Sequence, residues 1–511
     1  MLLRVFILFV SFSLLTFQSS FTQDIHNPHF CGFHAGEKDI ERLVANLEYA
    51  ETVEFHRSNE VFYVPLKFHL IARADGTGRV NENDALNQIC ILNQNFAPHN
   101  IQFFLKDKSF NYINSNAAFN NPSNSTSVLN NQRDSRALNV YWANETIPGE
   151  NVLGYYDTQW DWVVMRNNQV NSHFTLSHEV GHFFSLMHTF FGWETEPWQE
   201  EIHGNPVTQV FAPAPWGQIR VELADGSNCE ISADRICDTP PDYGFGSFWG
   251  GCSPFTLEVY DRNNDQVEPM QNNYMSYFFN CPEYEFTPMQ VAAMRADFSS
   301  PARNYLRNGF GIPETDEVTE APLGIYPEQN ETSDYYDEVP LIWDEVPGAS
   351  FYFLEVSPLP IFGNNSIVQT IVFDTEYIVK DLNPNANYHW RVRAMNETNF
   401  CAPVSQRFTF RTSDIRTSVS SFPENLISFS LMKNPLRTGM NPTIIIENNV
   451  DYQELKIEVY SISGQLLSTE SASLGSGNHK LSLNHNFNAS GMYMISITSE
   501  NYRKILPVVI N

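Results

Sequence analysis

The eleven residues HEVGHFFSLMH, His178 to His188, constrain this chain more than any other stretch. On an α-helix, positions i and i+4 share a face one turn apart, so His178 and His182 can offer both imidazoles to one ion. His188 cannot join them if the helix runs on, because six further residues carry it about 9 Å along the axis and round to another face. Three histidines on one metal therefore require the helix to stop soon after His182 and the chain to turn back. Such a turn calls for a residue at positive φ, where glycine is usual, and the residue available is Ser185. A serine there costs roughly 1 kcal/mol, small beside apparent zinc-binding energies of about 10 kcal/mol or more. Glu179, next to the first histidine, is placed to take a proton from an attacking water. The pattern His178-Glu179-x-x-His182 alone also arises by chance. Two other readings of it stay open: three structural histidines, or a metal on His178 and His182 with Glu194 or Glu196 as third ligand.

The remaining bulk features narrow the setting. A chain of 511 residues exceeds one compact core, so about two to four domains are expected. The formal charge of −29 argues against nucleic acid as a partner, since little Lys or Arg is present to displace counterions. The opening MLLRVFILFVSFSLLTFQSSFTQ has a basic flank at Arg4 and an apolar run, Val5 to Phe17, too short to span a bilayer comfortably. Residues 1–23 are thus expected to be a signal peptide, and no later stretch is apolar enough to span. Export puts the seven cysteines (Cys31, Cys90, Cys229, Cys237, Cys252, Cys281 and Cys401) where disulfides persist. An odd number leaves at least one unpaired in a monomer.

Organisation follows from pattern. Residues 24–60 form a short polar segment containing CGFHAGE. From 61 to 311, VFYVPLKFHLIA, IQFFLKD, ALNVYWA and DWVVMRN read as strands, and Asn81 to Phe96 has helical spacing with Ala85, Ile89 and Leu92 on one face. That mixture predicts an α/β domain. Residues 312–340 are acidic, proline-bearing and without apolar periodicity, and read as a linker. Everything beyond is expected to be all-β.

Further motifs carry a family resemblance. Met275 and Tyr277 in NYMSY follow the histidines, and the series HEVGH, HTF, DRICDTPPDY, NYMSY and FTPMQVAAM resembles the pappalysins among the metzincin zinc peptidases, the cytophagalysins in particular. The resemblance covers roughly 61–307. It implies His178, His182 and His188 as zinc ligands, Glu179 as general base, Met275 as the methionine beneath the ligands, and Tyr277 as an oxyanion donor. A packed core tyrosine is the alternative for Tyr277. It further implies calcium at Asp234, Asp238 and Thr239, where oxygen ligands suit a hard cation. It also implies that Cys31, in a Cys-Gly dipeptide upstream of the domain, blocks the zinc and keeps the enzyme latent; a structural disulfide or an inert thiol is the alternative. Cys252–Cys281 is the favoured disulfide and Cys229–Cys237 the second. Residues 190–229 intervene where relatives have a short loop, an aromatic and acidic insertion that either restricts substrates or elaborates the surface. The other histidines, His69 and His173 included, are expected to be structural.

Two β-rich resemblances complete the chain. Residues 341–413 are similar to a fibronectin type III module at Trp343, Pro347-Gly348-Ala349, Tyr352, Leu382, Tyr388, Trp390 and Val392. Residues 422–511 resemble the C-terminal sorting module of type IX secretion at Asn434-Pro435, Ile462-Ser463-Gly464 and Gly491-Met492-Tyr493. A plain accessory β-sandwich is the alternative there. The expected whole is multidomain: an α/β metzincin-like catalytic domain followed by two all-β sandwich domains. The expected function is a secreted or cell-surface zinc metalloendopeptidase, hydrolysing peptide bonds of protein or peptide substrates with a zinc-held water activated by Glu179. Its tail would be recognised by the secretion machinery. The competing expectation is a catalytically inactive adhesin or scaffold with a peptidase-like domain.

Overall fold

The computed structural model describes residues 31–52, 60–214, 218–311, 313–416, 426–499 and 502–511. The expected signal peptide, residues 24–30 and the first residues of the 422–511 module lie outside them. The chain divides into two compact units: Met1–Asp316 with Asn396–Cys401, and Glu317–Met395 with Ala402–Asn511.

The first unit is built on six strands, β1 (Phe62–Ala72), β2 (Ile101–Leu105), β3 (Asn111–Asn114), β4 (Leu138–Ala143), β5 (Gly154–Asp157) and β6 (Trp162–Arg166). They form one sheet in the order β2-β1-β4-β6-β5, with β3 beside the end of β1. Pairing is parallel except at the edge, where β5 runs antiparallel to β6. Strand β4 is buried along its whole length and β1 nearly so, which explains their almost unbroken apolar runs.

Four longer helices pack in this unit: α1 (Glu37–Thr52), α2 (Glu82–Phe96), α3 (Thr175–Phe183) and α4 (Pro288–Ser299). Helix α2 starts at Asn81, whose side chain accepts from Asn83 N, and it buries Ala85, Ile89 and Leu92. Helix α4 starts with a reciprocal Thr287–Gln290 capping box and Pro288 in its first turn. Small residues, Ala50 of α1 with Ala292 and Ala296 of α4, bring those two helices close. Disulfides join Cys90 to Cys401, Cys229 to Cys237 and Cys252 to Cys281, leaving Cys31 free and buried.

The second unit is all-β in its regular elements apart from one short 3-10 turn. Strands β7 (Gly324–Tyr326), β8 (Glu338–Trp343), β9 (Phe351–Ser357), β10 (Val368–Val372), β11 (Glu376–Lys380), β12 (Asn387–Met395) and β13 (Phe408–Arg411) make two sheets, β10-β9-β12-β13 and β11-β8-β7. Their core gathers Trp343, Tyr352, Tyr388, Trp390 and Val392. One expectation changes here. The stretch 312–340, read as a linker, contributes β7 and the first residues of β8, because a three-residue strand leaves no periodicity to read. The C-terminal module, expected as a sandwich, has its five strands, β14 (Ile427–Leu431), β15 (Thr443–Ser461), β16 (Leu466–Ser482), β17 (Gly491–Ser499) and β18 (Tyr502–Ile510), linked by hydrogen bonds in one continuous path and folded around a shared core. Strand β15 is long enough to pair with β14 at one end and β17 at the other, with a register shift between Asn448 and Tyr452. A single bulged strand thus does the work of two sheets.

Candidate metal centre and active site

Helix α3 ends at Phe183, one residue after His182, and Ser185 lies at φ +76°. The chain reverses there, with Leu186 N donating to Gly181 O at 3.0 Å. His188 returns to the other two: His182 Nε2 lies 3.1 Å from His178 Nε2 and 3.2 Å from His188 Nε2. Each ring is held from behind. His178 Nδ1 faces Tyr274 O at 2.6 Å, His182 Nδ1 faces Leu186 O at 2.8 Å, and His188 Nδ1 faces a Glu194 carboxylate oxygen at 3.3 Å. Carbonyl and carboxylate oxygens only accept, so each Nδ1 donates its proton and each Nε2 turns a bare lone pair inward. Burial lowers all three pKa values, those of His178 and His188 to about 3; the neighbouring rings add to the effect on His178 and His182, and His34 adds to it on His188. Three inward lone pairs at such distances repel one another unless a cation lies among them, and neutral imidazoles are the form a zinc ion takes.

Glu179 is buried, and its Oε1 has no hydrogen-bond partner. Burial raises its carboxyl pKa to about 8, against the opposing hydrogen bonds of Cys31 and the Tyr156 backbone. Room for it comes from Gly154 on edge strand β5, where a Cβ would sit 3.0 Å from Glu179 Cγ. Beneath the helix lies Met275, fully buried, and a Cβ on Gly181 would come within 2.4 Å of its sulfur. Met275 N donates to Asn273 Oδ1 at 2.8 Å, and Asn273 exchanges amide hydrogen bonds with Gln290, the capping residue of α4. The turn carrying the methionine is thereby tied to a helix start.

The N-terminal segment closes the site. Cys31 pairs with Gly154 in a parallel bridge, and Gly32 N donates to Gly154 O at 3.0 Å. This places Cys31 Sγ 3.5 Å from Glu179 Oε2, and the ligand atoms of Cys31, His178, His182 and His188 lie within 4.8 Å of one another. Burial, then the Glu179 charge, raises the thiol pKa in the absence of a metal. Tyr277 is buried; its hydroxyl donates to Cys31 O at 3.2 Å, and its ring stands edge-on to His188. Phe33 stacks on His182 with centroids 4.0 Å apart. From α1, Arg42 makes a paired contact with Asp297 at 2.7 and 2.6 Å and donates to Phe183 O, the exposed carbonyl end of α3. Asn46 donates to both Ser185 Oγ at 2.8 Å and Asp297 Oδ1 at 3.0 Å.

The remaining expected residues are placed as follows. Glu194 sits behind His188 rather than among the Nε2 atoms, and Glu196 pairs with His203 at 3.2 Å. Asp234 accepts from Ile236 N and Thr239 Oγ1, whereas Asp238 accepts from Met289 N at 2.8 Å. Among the described residues, the Cys31–histidine set is the one group of three or more His, Cys, Asp or Glu with ligand atoms gathered that closely, while Thr239 Oγ1 lies 3.2 and 3.0 Å from the two Asp234 carboxylate oxygens. Glu222, from the insertion, is buried beside Asp234, and its pKa is raised to about 9 by burial and by that neighbouring charge. His69 is a core residue between Asn139 and Asn111, its ring stacked on Tyr141. Reading along the chain missed Asn46, Arg42 and Phe33, because only their distance across the fold reveals them.

Comparison with known proteins adds the setting. Over 255 residues the chain is 26% identical to an extracellular metalloprotease of Colletotrichum graminicola, spanning 46% of this chain and 76% of that protein. An extracellular metalloprotease of Neurospora crassa is 29% identical over 289 residues, 52% of this chain and 87% of its own length. Residues 438–511 match the secretion system C-terminal sorting domain. Among solved structures, the FN1–FN3 domains of chicken CNTN1 cover 39% of this chain and 69% of their own at 14% identity and a TM-score of 0.17, too low to carry an argument. The chain is a secreted or cell-surface protein distantly related to extracellular metalloproteases, and it ends in a sorting domain.

Proposed function

We propose that this protein is a secreted zinc metalloendopeptidase of pappalysin type, held latent by its own N-terminal segment. The observation that carries the reading is the convergence of three bare Nε2 atoms beside a buried, half-unpartnered Glu179. His178, His182 and His188 would hold a zinc ion, which would supply Lewis acidity toward a carbonyl oxygen and water. Glu179, as a carboxylate beside the metal, would take the proton of the attacking water and pass it to the leaving amine. Tyr277, once its hydroxyl is released from Cys31 O, donates a hydrogen bond to the oxyanion that develops. Edge strand β5 offers its main chain to an extended peptide, along the line now taken by Cys31 and Gly32. Cys31, whose Sγ lies within 4.8 Å of the three histidine ligand atoms, would add a fourth ligand until the segment is displaced. A second cation, calcium, would draw on Asp234, Thr239 and the unpartnered Glu222 Oε2, with Asp238 beside them; a melting temperature indifferent to calcium and to chelator would remove it.

The test uses the full chain. Zinc content and casein cleavage are measured for the parent, Cys31→Ala and Glu179→Ala with Cys31→Ala. One zinc in each, with cleavage by Cys31→Ala alone or far above the parent, is the expected result. Zinc in all three with no cleavage would favour the scaffold reading, and absence of zinc would end the proposal.

A further inference from the structure

Beside Glu179 lies a cavity of about 220 Å³, bordered at its buried side by His178 and Glu179 and, until the N-terminal segment is displaced, by Cys31. Sites for whole small molecules run from about 300 Å³ upward, so this one has room for a single side chain. It adjoins the reacting groups, which makes it a pocket for a residue flanking the bond to be cut. Its walls are aromatic: Phe174 and Tyr284 pack with ring centroids 4.7 Å apart, and half-exposed Phe279 closes one side.

Ser172, Thr175, Gln169 and Tyr284 in these walls already have partners, and exposed Asn280 adds only an uncharged amide. Thr175 Oγ1 donates to Gln169 Oε1 at 2.9 Å and lies 2.9 Å from Ser172 Oγ, while Gln169 Nε2 donates to Asn168 Oδ1 at 3.0 Å. Tyr284 OH accepts from Cys281 N and donates to Phe278 O. Among the described lining residues Glu179 is the only carboxylate, and it is committed to the reaction. A Lys or Arg side chain entering here would lose its hydration and find no free counter-charge. An apolar side chain would exchange water for ring surface. The net charge of −29 draws basic peptides to the molecule at long range, but it supplies nothing inside the pocket.

We propose that this pocket selects an uncharged apolar or aromatic side chain, of leucine to phenylalanine size, next to the scissile bond and rejects Lys and Arg. The inference rests on the peptidase reading above. Its test is digestion of a denatured protein mixture by full-length, zinc-loaded Cys31→Ala, with the new termini read by mass spectrometry. Leu, Met, Phe and Tyr should exceed Lys and Arg at one flanking position by about tenfold or more, the scale a pocket of this kind can discriminate. Gln169→Glu keeps the acceptor for Thr175 and adds a carboxylate, and it should shift that position toward Lys and Arg. A basic preference in the parent, or no preference at either flank, overturns the pocket. Should nothing be cut, the peptidase reading fails, and binding still decides the pocket. The same protein is titrated with leucine hydroxamate and arginine hydroxamate: tighter leucine binding upholds it, and equal or tighter arginine binding sinks it.

Discussion

Ser185 stands where the chain must turn at φ +76°, and its side chain is put to use there, since its hydroxyl accepts from Asn46 of α1. The serine thereby links the turn that returns His188 to the segment that covers the site. Ser185→Gly is expected to hold one zinc and to change stability by no more than about 1 kcal/mol, because relief of a Cβ at positive φ offsets a lost hydrogen bond. The effect should fall on latency, with the intact chain cutting casein faster than the parent; equal rates would show that the Asn46 contact contributes nothing. Glu194 acts at the same scale. It receives the Nδ1 proton of His188 on one oxygen and Gly192 N at 2.7 Å on the other, so ring orientation depends on it. Glu194→Ala should weaken zinc binding roughly 10- to 100-fold, and Glu194→Gln, which keeps an accepting oxygen, should recover part of the loss. Competition with a chromogenic chelator reads this directly, and identical affinities would release Glu194 from that role.

At the scale of elements, two close approaches decide the centre. Gly181 lets α3 settle on the Met275 turn, and a methyl group there would collide with the sulfur at 2.4 Å. Gly181→Ala should therefore destabilise the unit by about 1–3 kcal/mol despite alanine's better helix propensity, as overpacking does; an unchanged or higher melting temperature would contradict the contact. Strand β5 is the element least visible along the chain. Its four residues, Gly154-Tyr155-Tyr156-Asp157, show no alternation, yet they dock Cys31, bond Glu179 and leave it space. Strand β1 carries a separate consequence. Burial lowers the pKa of His69 to about 4, below the ordinary value near 6.5 that it recovers on unfolding. Keeping it neutral is free of penalty above about pH 6.5, and that stability is lost as pH falls toward 4, by up to about 3 kcal/mol. The denaturant midpoint of the parent should fall over this window relative to that of His69→Gln, and parallel profiles would refute the assignment.

For the whole molecule, residues 438–511 match a sorting domain, and among the described residues the Cys31–histidine cluster draws on none of them. Deleting 438–511 should therefore keep the protein from the cell exterior while leaving zinc content and, with Cys31→Ala, casein cleavage in the extract intact. Loss of zinc on deletion would mean that the tail supports the fold. The central strands of the first sheet, α2 and the histidine helix were legible because each repeats an apolar or ligand spacing within a few residues. Strand β7 was not, since it is too short for a period, and neither was the point at which the long β15 bulges. By itself the sequence determined the spacing of three histidines that calls for a turn after His182 if they are to share one ion, an odd thiol and the sorting tail, all local patterns in covalent order. Only the tertiary structure decided that Cys31 meets Glu179 across 148 positions, that Glu194 backs a histidine instead of replacing it, and that Asn46 reaches Ser185. Those pairings are set by how sheet and helices pack, and separation along a chain says nothing about distance across a core.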